Sequence, residues 1–325
     1  MLPGAPGYAA LKMLGFVFEQ SSNKEENFVK QIVELGYVLP ISVSMARLQS
    51  TGKDMHFVGI RALCEHLAVN YPEKLLAGHT SVNKDKFHDE LRKFWSAFRI
   101  YNGGHDVYSR WGHQLHLCIP AKFHMDEGTG QKKTAVQQWS WGPVIFASPS
   151  SLDRYMFFAS MAAEQYKHAH RGYELGNVIL DEVASLLADE ARSLYLDGFH
   201  IDGIGRVRLV WVALEGDLPA QARAYHLKRN FGCLPNELCP WCLCNDRDVP
   251  HTDHRQGAIW RTTVHQRRPW TVPGPLNCIP GADHESFLAK DLFHLCHLGI
   301  VRTFAVNMLC YLTHLNIFVA RILKI

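Results

Sequence analysis

The chain has almost no net charge: 34 Lys and Arg against 31 Asp and Glu leave +3 over 325 residues. That balance excludes a protein that coats nucleic acid by bulk charge, though not one with a local basic patch. A run of about 20 apolar residues, the length a membrane-crossing helix needs, is also missing. The nearest approach, 304–320, has 17 residues without a formal charge and carries Asn307, His314 and Asn316. A buried helix is the expectation there, with a tail anchor as the alternative, so no membrane partner is expected. The N-terminus lacks both an early positive charge and a small-residue cleavage site after an apolar core. No secretory leader is therefore expected. Internal repeats and low-complexity tracts are absent. With 47% apolar and 20% charged residues the composition is that of a globular protein, not a disordered one. The length suits two domains, or one large α/β domain with insertions.

Nine cysteines are too few for a secreted disulfide scaffold, and their number is odd. Five of them, Cys233, Cys239, Cys242, Cys244 and Cys278, lie close together in sequence. Many of the 19 histidines share the same C-terminal third. Such clustering points to metal more than to disulfides.

Residues 1–110 read as a helical region. Apolar spacing predicts helices over 25–35, stopped by Gly36, over 58–69 and over 84–98. In the last, Phe87, Leu91, Phe94, Trp95 and Phe98 form one stripe that reads as core. The texture changes near 111. Residues 115–125 are extended in character despite Pro120, and 126–130 give a turn signal. Residues 134–146 alternate around Trp139 and Trp141, and 152–161 are either a third strand or the start of a helix. Residues 181–196 form a helix opened by Asp181 and Glu182 and ended by Gly198. The run VRLVWVAL at 207–214 is a strand covered on both faces. Pro219 suits the first turn of a helix over 220–228. The expected product is an α/β or α+β domain around one sheet.

Two constellations carry chemistry. Asp126 and Asp217 each follow a predicted strand. Carboxylates brought together at strand ends repel unless a cation separates them, and their hard oxygens suit Mg²⁺ or Mn²⁺. Such ions can activate an attacking oxygen and stabilise a leaving one on a phosphodiester. The plainer alternative makes Asp126 a hairpin residue and Asp217 a helix N-cap. The second constellation is Cys239-Pro240-Trp241-Cys242, followed by Cys244 and, downstream, by Asp291, His294, Cys296 and His297. Two thiolates at that spacing can meet one tetrahedral zinc, and Asp291, His294 or His297 can complete its shell. A redox dithiol needs a strand before it and a helix after it, whereas loop residues flank this one; unligated thiols remain the other alternative. Between the pairs, Arg255, Arg261, Arg267 and Arg268 interleave with Trp260 and Trp270. That mixture can contact phosphate and stack on bases, or simply solvate a loop. Lys132 and Lys133 could also touch phosphate.

Around these residues the segment LEGDLPAQARAYHLKRNFGCLPNELCPWC, from Leu214 to Cys242, resembles part of the CACTA-type and related cut-and-paste DNA transposases. Asp291-Leu292-Phe293-His294 is similar to the Asp-x-x-His that follows in several such groups. His124-Met125-Asp126-Glu127-Gly128 is similar to the end of their first core strand. The resemblance covers about 111–300. It implies an RNase H-like mixed sheet at 111–232, with Asp126 and Asp217 as the first two acids of an Asp-Asp-Glu triad. It also implies a Cys/His zinc-binding insertion at 233–299 and a buried helix at 300–325. DNA would be the partner and strand transfer by a freed 3′-hydroxyl the activity. The third acid should follow Asp291-x-x-His294, yet 292–325 contain no Asp or Glu, and Glu285 precedes the motif. The expectation is therefore a transposase-like protein of mobile-element origin, truncated or inactive alone, or else a non-catalytic zinc-binding protein that contacts DNA or protein. A functional protein of this kind would be nuclear, otherwise cytoplasmic. Lys228-Arg229 and Arg267-Arg268 are too short to be import signals.

Overall fold

A computed structural model describes residues 30, 41–129, 135–147, 154–229, 238–246, 248–291 and 301–314. Residues 1–42 and 43–325 are separate compact units. Of the first unit only Lys30, in a helical conformation, and residues 41 and 42 are described.

The second unit is mixed α/β. A short hairpin, β1 (Ser44–Arg47) and β2 (Asp54–Phe57), leads into α1 (Ile60–Asn70), α2 (Lys84–Tyr101) and α3 (Asp106–Arg110). Then come β3 (Cys118–Thr129), β4 (Ala135–Pro143), β5 (Met156–Ala162), the one-turn α4 (Ala163–Tyr166), α5 (Val178–Leu196), β6 (Phe199–Ile201), β7 (Gly205–Glu215) and α6 (Leu218–Tyr225). After these follow α7 (Ile259–Thr262) and α8 (Arg302–His314). The main sheet has the order β5-β4-β3-β7-β6. β3 pairs antiparallel with β4 and parallel with β7, while β4–β5 and β6–β7 are antiparallel.

Pro120 sits in the central strand without harm. Its carbonyl accepts from Val144 N–H at 2.8 Å, so its nitrogen points toward the β4 side. The β3–β4 ladder starts at Ala121↔Pro143, so the bond the proline forgoes, a reciprocal one to the Val144 carbonyl, lies at the ladder's very end. Side chains alternate from that point. Phe123 stacks on Trp211 of β7 at 3.9 Å, and Trp211 meets Trp141 of β4 edge-on at 6.0 Å. α5 covers this aromatic layer with Val183, Leu187, Ala188, Ala191 and Leu194. The helix starts earlier than Asp181 because the Asn177 side chain accepts from the N–H groups of Ile179 and Leu180.

Several expectations change. The region 1–110 is not purely helical: β1 and β2 pair there, and Val58 N–H bonds to Phe158 O of β5 at 2.8 Å. Residue 110 is no boundary either. Trp95 Nε1–H of α2 donates to Cys118 O at 2.8 Å, and Arg61 N–H of α1 donates to Glu190 of α5 at 3.0 Å. Of the turn read at 126–130, residues 126–129 are strand, since the β3–β4 ladder runs on to Thr129↔Ala135. In the undecided 152–161 segment, the described residues from Met156 onward belong to β5. α8 is not buried over its described residues: Phe304, Leu309 and Tyr311 are each more than half exposed. No helix among the described residues is long and apolar enough to cross a membrane.

His105 ties α3 to the sheet. Its Nδ1 accepts from Val107 N–H at 3.1 Å, so the hydrogen on Nε2 faces Trp211 O, also at 3.1 Å. Gly281, at φ +83°, packs against the ring where a Cβ would collide with it. Burial lowers the His105 pKa, offset only in part by the Trp211 carbonyl and Asp106. The folded state thus holds a neutral ring that the unfolded chain protonates near pH 6.5. Stability is therefore full above that pH and falls as pH drops through it, by up to about 1.4 kcal/mol per pH unit. His88 and His116, whose rings lie 5.0 Å apart, are lowered by burial too and add to the slope. Urea unfolding at pH 7.5 and pH 5 is expected to show a smaller acid loss in His105→Gln than in the parent. Parallel losses would exclude His105 as a source.

Candidate functional site

The sheet topology decides where the two predicted aspartates stand. β3 and β7 run side by side in the same direction, with His124↔Glu215 the last registered pair. Two residues beyond it on each strand are Asp126 and Asp217, at one end of the sheet. The strands remain close there because residue 216 is glycine. At φ +146°, it places its backbone where a Cβ would collide with the Met125 carbonyl oxygen. Asp126 lies within β3 opposite Gln138, and its carbonyl accepts from Gln137 Nε2 at 2.9 Å. It is therefore a strand residue and not a hairpin residue. Asp217 does cap α6: its Oδ1 accepts from Ala220 N–H at 2.7 Å, with Pro219 in the first turn. Capping uses one carboxylate oxygen and leaves acceptor capacity on the other.

The neighbours of this pair were not singled out in the sequence. Glu215 lies across from His124 and shares a face with it. Lys122, one alternation back, bonds Glu215 at 2.8 Å, and Tyr155 O–H donates to the same carboxylate at 2.7 Å. Burial pulls the Lys122 pKa down, but Glu215 and Tyr155 together more than reverse that, so the ammonium is held. Glu215 is thus neutralised locally and adds no charge beside Asp126 and Asp217. On the opposite face Glu127 accepts from Tyr166 of α4 at 2.7 Å and from Arg223 of α6 at 3.1 Å. Burial raises the Glu127 pKa, while Tyr166 and Arg223 lower it further, so the net shift is downward. The Arg223 contact pins α6, and with it Asp217, to β3.

The Cys-x-x-Cys loop converges as well. The Cys242 thiol is within hydrogen-bonding reach of both Cys239 and Cys244, and all three are free. Burial first, then the neighbouring thiol, pushes the Cys239 pKa up to about 11. Behind the loop lies Arg229, only 7% exposed, which donates to Cys239 O at 3.2 Å and Cys242 O at 3.0 Å. Trp241 O accepts from His265 N–H at 2.8 Å, and Lys290 lies over the Trp241 ring at 5.5 Å. One residue on, Asp291 closes a segment that is fastened to β7. Leu288 bridges Leu214, Ala289 N–H donates to Leu214 O at 2.9 Å, and Gln221 of α6 donates to Ala289 O at 2.6 Å. The cysteine loop and the strand-end aspartates therefore border the same β7–α6 junction. His294 and His297 lie outside the described residues, as do Lys132 and Lys133.

Comparison of the chain with family models, with curated proteins and with solved structures gives no match. What the site can do has to come from its own chemistry. Two carboxylates just beyond the β3–β7 ladder would suit a hard divalent cation if their side chains converge on it. Thiols as close as Cys242 is to Cys239 and to Cys244 suit a soft one. The arginines are largely engaged. Arg255 forks onto Asp253 at 2.9 and 2.8 Å, Arg267 reaches Asp246 at 3.8 Å, and Arg268 reaches Asp283 at 3.7 Å. Arg261 lies over Trp260 at 4.9 Å. Arg255, Arg267 and Arg268 remain largely exposed and could exchange these partners for phosphate.

Proposed function

We propose that this chain is a transposase-like, DNA-binding protein whose sheet is an RNase H-like core. In it Asp126 and Asp217 hold Mg²⁺ or Mn²⁺, and the cysteine loop with the 291–297 segment holds structural zinc. The observation that carries this reading is the parallel pairing of β3 with β7, which puts the two aspartates at the same end of adjacent strands. The order β5-β4-β3-β7-β6, with β3 central, antiparallel to β4 and parallel to β7, is compatible with it, and β6 joins as an antiparallel edge strand. The helix opened by Asp217 supports it. Metal there would polarise a phosphodiester and lower the barrier to its displacement. Cleavage needs a third carboxylate. Glu285 is a poor candidate, because its carboxylate is buried between His265 and His284. DNA binding without cleavage by this chain alone is the expected behaviour.

Manganese binding separates the metal role of Asp217 from its capping role. Asn caps a helix as well as Asp does but carries no charge, whereas Ala does neither. Asp217→Asn and Asp126→Asn are expected to weaken Mn²⁺ binding at least about tenfold, on the ground that each removes a charged oxygen ligand. Melting of Asp217→Asn should stay near the parent, while Asp217→Ala loses about 1 kcal/mol. Unchanged Mn²⁺ affinity in both Asn variants would sink the metal reading, and duplex binding insensitive to salt would sink the DNA reading.

A further inference from the structure

Beyond the strand-end aspartates and the cysteine loop lies a third group of donors. His265, His284 and Glu285 each bring one ligand atom within 4.8 Å of the others. Glu285 Oε1 is 2.8 Å from His265 Nδ1, and its Oε2 is 3.7 Å from His284 Nε2. We propose that these three side chains form a second zinc site, distinct from the cysteine loop, with its fourth position open to solvent.

The spacing suits the ion. Bonds of about 2.0–2.1 Å in tetrahedral geometry place ligand atoms roughly 3.4 Å apart. The two observed separations, 2.8 and 3.7 Å, lie on either side of that value, and all three ligand atoms lie within 4.8 Å of one another, so modest side-chain rotation brings them onto one ion. Burial supplies the second reason. The Glu285 side chain is 2% exposed, and no lysine or arginine pairs with it among the described residues. An anion so placed needs a compensating charge. A cation bound between the three side chains would provide one. The imidazoles lie toward solvent, at 38% and 46% exposure, which leaves the ion an entry path and a place for water.

The surroundings are built to hold this arrangement. His265 adopts φ +62°, a left-handed conformation that costs a non-glycine residue free energy and gathers at functional sites. Its N–H is held by Trp241 O at 2.8 Å. Ser286 Oγ lies 2.9 Å from His284 Nδ1 and also accepts from Asn102 Nδ2 at 3.2 Å. With metal on Nε2, the Nδ1–H of His284 donates to that hydroxyl, the outer bond by which metal-binding histidines are oriented. Without metal, Nδ1 instead accepts from Ser286 N–H at 3.1 Å. Tyr101 O–H holds the Ser286 carbonyl at 3.2 Å. None of these contacts involves Asp126 or Asp217, so the proposal stands apart from the DNA reading.

Cobalt as a spectroscopic substitute for zinc tests it on the full chain. Titration is expected to reveal one class of ion with thiolate-to-cobalt charge transfer, from the cysteine loop. A second class should show only the ligand-field bands of nitrogen and oxygen ligation. Glu285→Gln, which keeps the shape and the bond to His265, should abolish the second class and spare the first. Ser286→Ala should weaken the second class about tenfold. Absence of a sulfur-free class in the parent protein overturns the site, and so does its persistence in Glu285→Gln. His265→Gln, at an exposed position, decides where burial of the glutamine disturbs folding: a second class that survives it excludes this ligand set. A sulfur-free class without the sulfur one would uphold this site and reject zinc at the cysteine loop.

Discussion

Trp211→Ala is expected to lower the melting temperature by about 6 °C. Truncating a buried aromatic costs about 3–5 kcal/mol, and each kcal/mol moves a chain of this size by roughly 1.5 °C. Trp211 is fully buried, and three groups depend on it. Its ring stacks on Phe123 at 3.9 Å and meets Trp141 at 6.0 Å, which joins β7 to β3 and β4. Its indole N–H donates to Ala191 O at 3.0 Å, which fixes α5 against the sheet. Removing the ring leaves a cavity where three strands and a helix meet. Trp211→Phe keeps an aromatic face and loses the hydrogen bond, for about 1–3 kcal/mol. The order alanine, phenylalanine, parent in a thermal melt is the expected result, and an alanine variant within about 1 kcal/mol of the parent would rule out this anchor. The functional consequence lies beyond the ladder's last pair, His124↔Glu215, because the same β3–β7 register positions the Asp126 and Asp217 backbones.

Arg229→Met is expected to release the cysteine loop while leaving the sheet folded. The guanidinium is buried, bonds the carbonyls of Cys239 and Cys242 and lies 3.6 Å from Asp246. Methionine fills much of the volume but donates nothing, so two buried carbonyls lose their partners. At about 1.5–3 kcal/mol for each bond from a charged donor, the local cost is about 3–6 kcal/mol. Thiol titration with a chromogenic disulfide should then label Cys239, Cys242 and Cys244 at least tenfold faster, with zinc bound more weakly. Labelling as slow as in the parent protein would show that the loop is held by other contacts.

Much of the scaffold was legible in the pattern of residues. The runs at 84–98, 181–196 and 207–214 announce α2, α5 and β7, since apolar periodicity and length discriminate helix from buried strand. Errors fell where local chemistry and pairing disagree. Asp126 to Gly130 has the composition of a turn, yet ladder pairs with β4 carry the strand on to Thr129. The hairpin of β1 and β2 is too short for periodicity to register. α8 has the composition of a buried helix, but hydrophobicity alone does not supply a surface to pack against.

Residue identity and spacing by themselves determined that the chain is mixed α/β, that Asp217 follows a buried strand and opens a helix, and that a cysteine pair sits in a loop. These properties are local, set by side-chain chemistry over a few residues. Only the tertiary structure decided that β3 and β7 are parallel neighbours and that Arg229 grips the cysteine loop from below. It alone also revealed Lys122 and Tyr155 neutralising Glu215, and His265 meeting Glu285 from 20 residues away. Such contacts join residues far apart in sequence. They arise from strand pairing and burial, which no short window of sequence contains.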